Sequence, residues 1–184
     1  DIPTEKAVKT YVDNNAGGGS GGGSGLPQLL PDDFSLDDEN TAVSRGSVYN
    51  MIQTLDFEPS SDGSVWITFH FPSTLDDTSD IDLELYYNLS GSDDSTTVRM
   101  VTDYWCTPVG TMPTSGSPDD TTTDDISTGT GEDGEIRSAT LSGISNLDLT
   151  AGDTITIKLT REGSNVNDDY SGTLQMLYLF PSQS

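Results

Sequence analysis

The stretch Ile81-Asp82-Leu83-Glu84-Leu85-Tyr86-Tyr87-Asn88-Leu89 decides the fold. Ile81, Leu83, Leu85, Tyr87 and Leu89 alternate with Asp82, Glu84, Tyr86 and Asn88, the period of a strand with one buried and one solvated face. Val65, Ile67, Phe69 and Phe71 repeat that pattern against Trp66, Thr68 and His70, and Pro72 ends the run. Val98, Met100, Thr102 and Tyr104 do so again, with Val101 and Trp105 on the other side. A further strand is expected with Tyr49, Met51, Leu55 and Phe57 on one face. Others are expected at Ile136–Leu141, Thr154–Thr160 and Thr173–Phe180, and a weaker one at Ala42–Ser47. Gly, Asp, Asn and Pro clusters separate these runs, and no helical pattern intervenes. Residues 26–184 therefore predict an all-β antiparallel sandwich or barrel.

Composition supports that reading and narrows the partners. The 184 residues carry seven Lys and Arg against 31 Asp and Glu, a formal charge of -24. Of the acidic residues 24 are Asp, a turn former, and only seven are Glu, a helix former. So few cations cannot build the basic patch that a nucleic acid requires, and an anionic membrane surface repels the chain. No apolar run approaches the roughly 20 residues of a membrane helix, so no membrane insertion is expected. The single cysteine, Cys106, has no intrachain partner, and stability must come from packing or assembly.

The beginning of the chain is organised differently. Residues 1–15 hold the one stretch of helical character, with Pro3 and Thr4 as a start signal and Ala7, Val8, Tyr11 and Val12 on one stripe. A helix of about three turns is marginal alone in water and needs a partner, identical helices of neighbouring chains being the simplest. Residues 16–25, AGGGSGGGSG, behave as a flexible hinge. Such a repeat occurs as an engineered linker and in natural fibre hinges, and the residues leave both origins open. Beginning at Asp1 without Met or a signal-peptide core, the chain reads as a fragment or a processed product.

Few residues offer catalytic chemistry. The one histidine, His70, lies mid-strand between Phe69 and Phe71 and opposite to the apolar face, and Cys106 has no neighbouring His or Lys to activate it. Paired carboxylates such as Asp119-Asp120 and Asp124-Asp125 stand among Ser and Thr rather than in an apolar cleft, so no enzyme is expected. No cofactor is expected either; the weak metal candidate is calcium on Asp76, Asp77, Asp80 and Asp82, which lack EF-hand spacing. The irregular stretch of about 30 residues between Trp105 and Ile136 exceeds an ordinary connector and is expected to be a binding or disordered loop. Trp66, Tyr86 and Trp105 fall off the main apolar face by parity, where flat rings serve for sugar stacking or for oligomer contacts.

The phrase Ile2-Pro3-Thr4-Glu5-Lys6-Ala7-Val8-Lys9-Thr10-Tyr11-Val12-Asp13 resembles a motif of tailed-bacteriophage fibre and appendage proteins. The end of the chain, Gly152-Asp153 with Ile155, Ile157, Leu159 and Arg161, then Asp168 to Gly172 and an apolar last strand, resembles the closing strands of phage jelly-roll modules. The resemblance implies a homotrimeric head or tail fibre of the virion, exposed outside the cell when mature. In it a jelly-roll-like knob would attach to a host-surface glycan or protein, and the stalk would join other virion proteins. Two alternatives stand beside it: a carbohydrate-binding or adhesin module outside any virion, and a structural decoration protein of the capsid.

Overall fold

In the computed structural model the described residues are 26–36, 42–48, 50–91, 96–111, 116–129 and 134–183. The expected helix with Ala7, Val8, Tyr11 and Val12, and the Gly/Ser hinge, lie outside them. Among the described residues ten strands form two antiparallel sheets: β1 (Ser35–Leu36), β2 (Val43–Val48), β3 (Ile52–Phe57), β4 (Asp62–His70), β5 (Ile81–Ser90), β6 (Thr97–Thr107), β7 (Asp120–Ser127), β8 (Arg137–Ile144), β9 (Thr154–Glu162) and β10 (Thr173–Gln183). The sheet orders are β1-β4-β9-β6-β7 and β2-β3-β10-β5-β8. From β3 onward this is β3-β10-β5-β8 over β4-β9-β6-β7, the doubled Greek key of a jelly roll.

The alternating residues read from the sequence make the core. Ile81, Leu83 and Leu85 of β5 are fully buried, as are Val98, Met100 and Tyr104 of β6 and Ile155, Ile157 and Leu159 of β9. Phe57, Val65, Phe71 and Leu174 close the same cluster. Thr102 shares the inner row of β6 and is itself fully buried, as its parity required. No helix among the described residues is long and apolar enough to cross a membrane.

Three expectations need correction. The stretch 107–135 is not one irregular loop, because β7 runs through it and pairs with β6 from Thr97 opposite Ser127 to Tyr104 opposite Asp120. In this edge strand, DTTTDDIS, only Ile126 is buried, so it carries no apolar alternation; Thr propensity and pairing to β6 hold it. Met51 does not face the core: it is 78% exposed in the turn between β2 and β3. Tyr49 lies outside the described residues, and the weak run from Ala42 is the genuine strand β2. β8 begins after Ile136, which is 51% exposed, and continues to the buried Ile144.

Side chains close the sandwich where backbone pairing stops. Asp124 of β7 accepts from the amide and hydroxyl of Ser142 on β8, at 2.8 and 2.7 Å, joining two sheet edges across the layers. Near the other edge Arg45 of β2 donates to the carbonyls of Pro31 and Phe34 and to Asp32. At one end Arg161 is fully buried and donates to Asp168 and to the carbonyls of Phe57, Tyr170 and Gly172. That set ties the β9–β10 connection to the core.

Candidate functional site

Strand parity sends Trp66 of β4, Lys158 of β9 and Asp103 of β6 to the outer face of one sheet, and they stand side by side in register. In the next row Thr68, Thr156 and Trp105 are similarly aligned. The two indoles lean toward each other over β9 and stack with centroids 5.4 Å apart and planes at 29°. Both remain half-buried rather than covered. The Trp105 ring N–H donates to the carbonyl of Gly116 at 3.2 Å, which fixes that ring against the segment before β7. Lys158 holds its ammonium 5.5 Å from the centre of the Trp66 ring.

Hydroxyls surround this aromatic ridge. Thr68 and Thr156 hydrogen-bond each other at 3.0 Å on the same face, and Ser64 and Thr160 do so at 2.9 Å farther along. His70 is exposed at the end of β4, opposite Thr154. The result is a half-buried pair of stacked indoles with neutral and charged polar groups around it. It suits a ligand that stacks and also exchanges hydrogen bonds.

Tyr86 is placed elsewhere. It lies on the outer face of the opposite sheet and stacks on Tyr178 with centroids 4.3 Å apart. Beside this pair Asn88 donates to Gln175 at 2.7 Å, and Asp56 accepts from Thr54 at 2.5 Å. The structure thus brings together two of the three expected contact residues, Trp66 and Trp105, and separates the third. Tyr178 and Lys158 were not singled out from the sequence. Lys158 was accessible by parity, since Ile157 and Leu159 flank it. Tyr178 was not: simple alternation from Leu174 and Met176 places it inside, and a bulge between Met176 and Tyr178 turns it out.

The acidic stretch after Leu75 does not assemble a metal site. Among the described residues no group of three or more His, Cys, Asp or Glu side chains comes together in a way that would hold an ion. Asp76 accepts from the amide and hydroxyl of Thr78, which holds its carboxyl below the usual range. Asp77 accepts from the amide of Ala151, and Asp80 from that of Asn146. These carboxylates shape turns and dock the connection on its neighbour.

The setting of Cys106 disfavours the thiolate. Burial pushes its thiol up to about 12, and Asp119, Asp153 and Asp148 add to the effect. Tyr104, in the core, is raised chiefly by burial and then by the hydrogen bond its hydroxyl donates to Asp148 at 2.7 Å. A polar cleft of about 440 Å³ lies between the β3–β4 turn and the β9–β10 connection, lined by Pro59, Ser60, Asn165 and Asp169 among others. Asp168 on its wall is committed to Arg161.

No protein-family model matches the chain, and no curated protein matches it. Solved structures do. One is the CBM36-1 domain of a multidomain xylanase from the hindgut metagenome of Trinervitermes trinervoides, with 12% identity over 85% of this chain and 96% of that one, at a TM-score of 0.48. Another is TmCBM61 in complex with β-1,4-galactotriose, with 10% identity over 86% of this chain and 100% of that one, at 0.46. A third is CBM27-1 of Caldicellulosiruptor saccharolyticus in complex with mannohexaose, with 11% identity over 85% and 94%, at 0.43. The likeness is one of sandwich architecture.

Proposed function

We propose that the chain is a non-enzymatic saccharide-binding β-sandwich module whose contact surface is the ridge formed by Trp66 and Trp105. The observation that carries this reading is the stacking of the chain's two tryptophans, half exposed, on one outer sheet face. Pyranose rings present C–H faces that pack on indoles and equatorial hydroxyls that need polar partners. Thr68, Thr156, Lys158, Asp103 and His70 supply donors and acceptors on that face. The inert environment of Cys106 favours binding over chemistry. A glycan array probed with the full chain and with Trp66→Ala and Trp105→Ala tests it; a wild-type signal unchanged in both variants would refute the assigned surface.

A virion setting is the second part of the proposal and rests on a different observation, the resemblance of residues 2–13 to phage fibre stalks. On that reading the sandwich is the knob of a homotrimer that attaches to host-surface glycans. Light scattering on the full chain tests it: a trimer supports the fibre, and a monomer removes it while leaving the saccharide reading intact.

A further inference from the structure

Lys158 differs from every other described basic side chain. Arg45 pairs with Asp32, Arg99 with Asp125 and Glu162, and Arg161 with Asp168. Arg137 donates to the carbonyl of Thr128. Among the described lysines and arginines Lys158 alone donates no hydrogen bond and forms no ion pair, in a chain with 31 acidic residues. Its ammonium stands instead at the tryptophan ridge.

We infer that the ligand of this ridge is an anionic saccharide, a sugar bearing a carboxylate or a sulfate group that pairs with Lys158 while its ring packs on the indoles. The inference rests on the saccharide reading above and names its ligand class. An ammonium that forms no ion pair and stands on an aromatic surface is a ready anion partner, because a charge-assisted hydrogen bond outweighs a neutral one. The charge of -24 does not cancel it. At physiological ionic strength charges beyond about 8 Å are largely screened, so the neighbouring groups decide. On this sheet face Asp125 and Glu162 are already matched by Arg99. Asp103, aligned with Lys158, accepts from the Thr121 hydroxyl at 2.6 Å through one of its oxygens. Asp103 and Lys158 form no ion pair with each other.

The test is an array of neutral, uronate-containing, sialylated and sulfated oligosaccharides, probed with the full chain and with Lys158→Gln, Lys158→Arg and Trp105→Ala, each checked for folding by circular dichroism. Expected are anionic hits, weakened about fivefold in Lys158→Gln, kept in Lys158→Arg and lost in Trp105→Ala. Uronate or sialate hits assign the carboxylate, and sulfated hits the sulfate. Neutral hits that depend on Trp105 and ignore Lys158→Gln would overturn the charge inference and leave the saccharide reading standing. An array without any hit would overturn both.

Discussion

Arg161 and Asp168 meet in a two-pronged pair, Nε to Oδ2 at 2.9 Å and Nη2 to Oδ1 at 2.8 Å, with side chains 0% and 1% exposed. The guanidinium spends its remaining donors on the carbonyls of Phe57, Tyr170 and Gly172. A buried pair adds little over an apolar substitute, but removal of one partner strands the other charge. Asp168→Ala is therefore expected to lower unfolding free energy by about 3–5 kcal/mol in urea titration. A loss below about 1 kcal/mol would mean that the latch is dispensable.

Gly143 answers a close approach between strands β5 and β8. A methyl group there would lie 1.6 Å from the carbonyl oxygen of Ile81, where the pairing of β5 and β8 shifts register. Gly143→Ala must push β8 off β5, and a destabilisation of about 1–3 kcal/mol is expected from thermal melts.

Stability should fall on the alkaline side. The Cys106 thiol and the Tyr104 hydroxyl are both raised in the folded chain, Cys106 to about 12. The unfolded chain ionises these groups first, beginning with the thiol near its ordinary value, so the folded state holds more protons. Their stabilising contribution is complete below about pH 8.5 and declines as pH rises toward 12. Melting temperatures measured between pH 7 and 11 should drop above pH 9, and less steeply in Cys106→Ser.

The same shift predicts a slow thiol. Native protein at pH 8 should react with iodoacetamide at least about tenfold more slowly than the urea-unfolded chain, because the thiolate is the reacting form. Equal rates would show that Cys106 is neither buried nor electrostatically suppressed.

The strands that the sequence revealed are those with one wet and one dry face, and β4, β5, β6 and β9 appear in the sequence as alternation. β7 was hidden because an edge strand buries one apolar residue and is otherwise Thr and Asp, which read as loop. Parity put Trp66 and Trp105 on the outside. Their meeting depends on sheet order, since β9, far later in the chain, inserts between β4 and β6. The carboxylates at 76–82 suggested a cation because spacing alone does not show which backbone amides they cap.

The central claim is most directly tested by titrating the full chain with the oligosaccharides found on the array while following the two indole N–H signals in a nitrogen-15 correlation spectrum. Both tryptophans of the chain lie at the ridge, so the two signals report on it alone. The account predicts that both shift with saturation, together with the amides of Thr156 and Lys158. Saccharide binding that leaves both indole signals in place, or no shift with any saccharide, would contradict it.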